Sequence, residues 1–161
     1  MLSVLFVSRR GTVRAPLACA CLQHLGGTRF RAHAAGHPAE TGHEVHPLAL
    51  AALRAAHMPA EGLHPQSWDL FRRSGAPPLD FVIMLDRFVA EREPAWPGQP
   101  ERACWDYEDL LAREAPADAA QFTQELLSLR RRLELLVNLA RRPGTRAADL
   151  RSDVRDMAYL A

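Results

Sequence analysis

Lysine is absent from this 161-residue chain, and all 20 basic positions are arginine. Together with the abundance of alanine this marks a composition bias, from which no function is read. A surplus of charge of either sign is also missing. Twenty basic residues face 19 acidic ones for a formal net charge of +1, which leaves no global field to attract nucleic acid or an anionic membrane. Any anion site must therefore be local. Cysteine is scarce: Cys19, Cys21 and Cys104 form an odd set without a CxxC pair, which argues against a disulfide framework or a zinc site of that spacing. Cys19 and Cys21 stand two apart on a helical stretch and point to different sides, so buried, reduced thiols are the expectation. No apolar run approaches the roughly 20 residues that span a bilayer. There is no basic region followed by an apolar signal core either, and a cytoplasmic location is expected.

What is present suits one domain with a single core, 48% of its residues being hydrophobic. Residues 2–7 (LSVLFV) are a continuous apolar run of strand formers, followed by a short polar loop and a helix-compatible stretch from Ala15 to Leu25. Gly26-Gly27 stops that helix, and Phe30 to Ala34 reads as a second strand ending at Gly36. The βαβ unit so formed should be right-handed, its strands parallel and the loop after the first strand at the carboxyl edge of the sheet. Pro47 to Ala56 has helical spacing, Gln66 to Arg72 reads as a short helix, Leu79 to Leu85 as a third buried strand and Ala103 to Trp105 as a short last one. Proline-rich Pro94 to Pro100 is a loop. Asp118 to Arg141 is the clearest helix, with one apolar stripe of Phe122, Leu126, Leu129, Leu133, Leu136, Val137 and Ala140. The expected architecture is a four-stranded parallel α/β sheet with helices on both faces. It comprises a domain over residues 1–142 and a C-terminal extension over 143–161, in which polar Thr145 to Ala161 is expected to add a loosely held helix.

A loop leaving a parallel strand and entering a helix turns backbone N–H groups and the positive end of the helix dipole toward one spot, where phosphate-like anions bind. Here that loop runs from Ser8 through Arg9, Arg10, Gly11, Thr12 and Val13 to Arg14. Arg14 stands six residues after Ser8, where its planar fork can grip two oxygens of a tetrahedral anion. Arg9 and Arg10 add nearby charge. On spacing alone an ordinary turn with exposed arginines competes evenly with this reading.

The string Val4 to Ser8 through Arg14-Ala15-Pro16 resembles the phosphate loop of the low-molecular-weight tyrosine phosphatases and their arsenate reductase relatives, whose pattern is Cys-x5-Arg-Ser/Thr-Pro. Further segments resemble the proteobacterial arsenate reductase branch in the same order: Leu22 to Gly36, Val45 to Leu53, Gln66 to Phe71, Pro77 to Ile83, Pro94 to Pro100 and the region of Trp105. The resemblance runs from residue 2 to about residue 141. It implies that Ser8 stands where the family has its nucleophilic cysteine, Gly11 where a bracing asparagine usually stands, and Ala15 where a hydroxyl follows the arginine. Three changes together favour natural divergence over a single engineered replacement.

An alcohol ionises far above neutral pH, and the loop suggests no histidine or lysine base to activate it. The two further cysteines of the reductase branch match Leu85 and Glu93, and a disulfide relay cannot run without sulfur. The general acid matches Asp109 in Trp105-Asp106-Tyr107-Glu108-Asp109, although Leu110 replaces the proline of that motif. Asp106 and Glu108 are expected to be solvated. Cys104 matches no family redox cysteine and is expected to be a small buried residue. His37, His43 and His46, at i, i+6 and i+9 in a loop, support no regular metal geometry. The resemblance therefore implies a catalytically degenerate relative that needs no cofactor or metal. Its partner would be phosphate, sulfate, an arsenate-like oxyanion or a phosphorylated ligand. Two alternatives remain: an active family enzyme with Ser8 engineered or an unusual nucleophile, and a non-catalytic interaction module.

Overall fold

Four strands, β1 (Leu2–Ser8), β2 (Phe30–Gly36), β3 (Phe81–Met84) and β4 (Glu101–Cys104), alternate with helices α1 (Arg14–Gly26), α2 (Pro47–Ala55) and α3 (Arg87–Ala90), followed by α4 (Ala119–Leu139) and α5 (Arg151–Asp156). This computed structural model describes residues 1–160. The sheet has the order β2-β1-β3-β4, and all its pairings are parallel. The expected four-stranded α/β architecture is therefore present.

β1 is apolar along its length because both its faces are covered. Val4 and Phe6 enter the larger core cluster with α1, α2 and α4, whereas Leu5 and Val7 enter a smaller one with Trp68, Phe71, Val89 and Trp96. The short helix expected near Gln66 to Arg72 is a 3-10 turn over Trp68–Phe71, capped by the Ser67 hydroxyl. α4 starts at the Asp118 cap, where Asp118 and Gln121 exchange side-chain to backbone bonds, a capping box. β3 is shorter than expected, but Asp80 and Leu85 beyond its ends still donate their N–H groups to Ser3 and Val7 of β1.

The tail is not loosely held. Leu150, Val154 and Met157 are buried in the larger cluster, and the buried Trp105 indole Nε1–H donates to the Val154 carbonyl at 2.8 Å. Arg132 on α4 donates to the carbonyls of Ala158 and Leu160 at 3.3 and 3.1 Å. The apolar positions 150, 154 and 157 recur at helical spacing, and covering the Trp105 edge of the core outweighs the polarity of the segment. Leu150→Ala is accordingly expected to lower stability by about 2–5 kcal/mol, read from urea denaturation. A loss below about 0.5 kcal/mol, the size of a surface substitution, would show the tail to be dispensable.

Candidate functional site

Ser8, the last residue of β1, is 1% exposed. The chain then turns sharply and enters α1 at Arg14, beside the end of β2. Gly11 has φ +68°, and a Cβ built there would lie 3.1 Å from the Gly36 nitrogen; one built on Gly36 would lie 2.9 Å from the Arg10 carbonyl carbon. Two glycines thus let the loop and the β2 end cross in contact, and the left-handed turn at position 11 suits a residue without Cβ.

The segment after β2 holds the loop from outside. The N–H groups of His37, Gly42 and His46 donate to the carbonyls of Arg9, Arg10 and Thr12 at 3.1, 3.0 and 2.9 Å. In a planar trans peptide the C=O and the next N–H point in opposite directions. Fixing those three carbonyls outward turns the N–H groups of Arg10, Gly11 and Val13 inward, the arrangement of an anion nest. The bracing that Gly11 was expected to lose comes from these bonds and from Asp86. The Asp86 Oδ2 accepts the Arg9 N–H at 2.8 Å, and its Oδ1 accepts the Val89 N–H at 2.9 Å to cap α3.

Arg14 is 4% exposed. Its Nη1 lies 3.1 Å from the Asp86 Oδ2 and donates to the Tyr107 carbonyl at 3.2 Å, while its Nη2 lies 3.7 Å from the Asp109 Oδ2. Arg10 Nη1 reaches the same Asp109 oxygen at 2.6 Å. Burial alone would raise the Asp109 pKa, but Arg14, the Leu111 N–H and Arg10 outweigh it and hold the carboxyl below its usual range. The space enclosed by Ser8, Arg10, Arg14 and Asp109 is only about 10 Å³, about enough for one water.

Of the residues that sequence reading grouped, Ser8, Arg10, Gly11, Thr12, Val13, Arg14 and Asp109 line this one space. Arg9 is turned away. Its guanidinium stacks 4.1 Å from the Phe88 ring centre and pairs with Glu40 at 3.2 Å. Asp106 and Glu108 pair at the surface with Arg87 and Arg113. Leu85 is fully buried, and Glu93 accepts the Trp96 indole N–H at 3.0 Å. Cys19 and Cys21 are buried free thiols pushed up to about 12 by burial. Cys104 departs from expectation in being only half-buried. His37 packs against Trp68 and Phe88, His46 caps α2 and stacks on Phe122, and His43 is exposed. Among the described residues no three His, Cys, Asp or Glu side chains gather as a metal site, and no helix is long and apolar enough to cross a membrane.

Two site residues escaped sequence reading. Asp86 is the buried partner of Arg14, and Glu125 on α4 is an 8% exposed carboxylate with neither oxygen hydrogen-bonded. Burial pushes the Glu125 carboxyl up to about 7, against the lowering effect of nearby Arg14 and with Asp109 and Glu108 adding to the rise.

A buried arginine and inward-turned amides stand at the carboxyl end of an interior strand of a four-stranded parallel α/β sheet. The sequence profile of the low molecular weight phosphotyrosine protein phosphatases matches residues 3–103, and the chain belongs to that family. Solved structures of similar fold include an arsenate reductase in the phosphate binding state, 22% identical, with 86% of this chain and 98% of that one covered at a TM-score of 0.68. The thioredoxin-dependent arsenate reductase of Corynebacterium glutamicum is 21% identical over 88% of this chain and 64% of its own, TM-score 0.64. The YwlE arginine phosphatase, as a cysteine-to-serine variant with a phosphorylated active-site serine, is 16% identical over 89% and 98%, TM-score 0.67. At these identities the likeness concerns the fold. No curated protein matches the chain in sequence.

Proposed function

We propose that this chain is a catalytically silent member of the arsenate reductase branch of its family and captures a tetrahedral oxyanion in the Ser8 to Arg14 loop. The ligand class is phosphate, sulfate, arsenate or the phosphoryl group of a larger molecule. One observation carries the reading: the Asp109 carboxylate oxygen already sits on Arg10 at 2.6 Å and near Arg14 at 3.7 Å, doing with the loop cations what an anion oxygen would do. The inward N–H groups of Arg10, Gly11 and Val13 complete the cradle, and none of this requires a cysteine.

Ser8 takes the place of the family's thiolate. A neutral hydroxyl removes a like charge from beside a bound dianion, so capture survives while nucleophilic attack does not. With Leu85 and Glu93 where sulfur relays would stand, purified protein is expected to show no arsenate reduction with thioredoxin, glutaredoxin or glutathione. Sustained turnover that disappears on mutation of Cys19, Cys21 or Cys104 would contradict this.

Capture requires Asp109 to leave the two arginines. Sulfate keeps its charge across the neutral range, and its titration followed by the amide signals of Arg10, Gly11 and Val13 tests the proposal. Saturable shifts are expected in the wild type, at least tenfold weaker binding in Arg14→Ala, and roughly tenfold tighter binding in Asp109→Asn, where the competing charge is gone. Identical affinity in wild type and Arg14→Ala, or no saturation at millimolar sulfate, would make the loop a relic and favour an interaction module.

A second reading draws on the phosphorylated serine of the YwlE variant. Here the Ser8 Oγ would bond to phosphorus as the phosphorus–oxygen bond of an aryl phosphate breaks, and the hydroxyl proton would leave with the aryl oxide. Intact mass spectrometry after incubation with an aryl phosphate distinguishes the readings. Capture alone gives no added phosphoryl group and no aryl alcohol above the Arg14→Ala control.

A further inference from the structure

A concavity of about 890 Å³ lies along the outer edge of β4. It is distinct from the phosphate loop and shares no lining residue with it. β4 is the last strand of the sheet and pairs only with β3. The N–H groups of Glu101 and Trp105 donate to Asp80 and Met84. By the two-residue alternation of a strand, the N–H and C=O groups of Arg102 and Cys104 therefore point away from β3, into the cleft. Such a row of unpaired backbone groups is a template for one more strand.

The walls specify what that strand must carry. On one side stand α5 and the turn after it, with Arg151, Arg155 and the 87% exposed Tyr159; on the other stand Trp96 and Glu93. Three guanidiniums, Arg102, Arg151 and Arg155, meet two carboxylates, Glu93 and Glu101. Both carboxylates are already engaged. Glu101 is held by two nitrogens of Arg151 at 2.5 and 3.0 Å, and Glu93 accepts the Trp96 indole N–H at 3.0 Å with Arg102 at 3.7 Å. Arg155 makes no ion pair among the described residues, and the Arg102 side chain is 62% exposed. One positive charge is thus left over, on Arg155, and across the edge the exposed Arg102 is paired only at 3.7 Å with Glu93. Positive side chains on an edge repel basic strands and discourage apolar ones, which leaves an acidic strand as the complement.

We propose that this cleft docks an acidic, extended peptide segment of a partner protein, which adds to β4 as a fifth strand. Its main chain pairs with Arg102 and Cys104. Its alternate side chains place carboxylates near Arg155 on one face and Arg102 on the other, with Trp96 and Tyr159 as apolar flanks. Main-chain bonds supply affinity and the alternating pockets supply selectivity, the mode of strand-addition domains.

The probe is a fluorescein-labelled peptide of alternating glutamate and valine, titrated into the full chain and followed by anisotropy and by the amide signals of Arg102 and Cys104. Saturable binding is expected, at least tenfold weaker in Arg102→Glu/Arg155→Glu and unchanged in Arg54→Glu, an exposed charge reversal on α2. Methylating one alternate set of peptide nitrogens is expected to abolish binding, while methylating the other set spares it. The double variant changes only exposed side chains, and its circular dichroism and melting temperature are expected to match the wild type. Equal binding of a lysine-valine peptide, equal tolerance of both methylated sets, an equal loss on Arg54→Glu or no saturation at millimolar peptide would each overturn the proposal. Self-association in sedimentation that the double charge reversal removes would overturn it in favour of a second copy of this chain.

Discussion

Asp86→Ala is expected to lower the stability of the folded chain by about 3–5 kcal/mol, the cost of leaving a buried charge without its partner. Arg14, 4% exposed, would keep only the Tyr107 carbonyl at 3.2 Å and the Asp109 oxygen at 3.7 Å. The N–H groups of Arg9 and Val89 would lose their acceptor at the same time. Unsatisfied buried amides add about 1–3 kcal/mol each when water cannot reach them, so the lower end of the range assumes that it does. Asp86→Asn removes the charge and keeps one acceptor oxygen, enough for one of the two amides, and a loss between wild type and alanine is expected. Urea denaturation at neutral pH measures both. An alanine variant within 1 kcal/mol of wild type would mean that Arg14 is held by its other contacts.

The second large effect has the opposite sign. Glu125→Gln is expected to stabilise the protein at pH 8 by about 3 kcal/mol and to change nothing at pH 4. Burial moves the carboxyl from its ordinary 4.5 to about 7, so the folded state holds this proton more tightly than the unfolded chain. Stability is therefore undiminished below the unfolded value, falls as pH rises from about 4.5 to 7, and is flat above. Glutamine resembles the protonated acid at every pH and removes that slope. The groups facing Glu125 are Arg14 from α1, and Tyr107, Glu108, Asp109 and Arg113 from the segment before α4. Denaturation of both proteins at pH 4, 6 and 8 tests the claim, and a difference independent of pH would refute the role of ionisation.

The strand-loop-helix unit was legible because its signals are local. A run of apolar residues, a short polar loop and a helix former in succession place Ser8 to Arg14 at the carboxyl edge without any long-range information. Asp109 reached the site through the family resemblance, and its grip on Arg10 is a long-range contact that no spacing announces. Asp86 was missed for the same reason: its bond to Arg14 exists only because β3 lies beside β1, although an aspartate opening the short α3 is a readable cap. Glu125 did carry a signal. It lies three residues after Phe122 and one before Leu126, on the apolar stripe of α4, where a charged residue is out of place. The tail looked unattached because its apolar residues are few, and their spacing at 150, 154 and 157 acquires meaning only beside Trp105.

A ligand already tethered to its own receptor sets a threshold for every competitor. A group on a short flexible segment acts at an effective concentration on the order of millimolar. Asp109 is tethered in the same chain as its two arginines, on residues 106–118, which form no regular helix or strand. A free ion at micromolar levels would leave Arg10 and Arg14 in the possession of their own carboxylate. A phosphoryl group borne on a larger molecule, anchored by further contacts at the loop mouth, could displace it. Among the tetrahedral anions proposed, the loop so guarded would favour those that arrive with a second point of attachment.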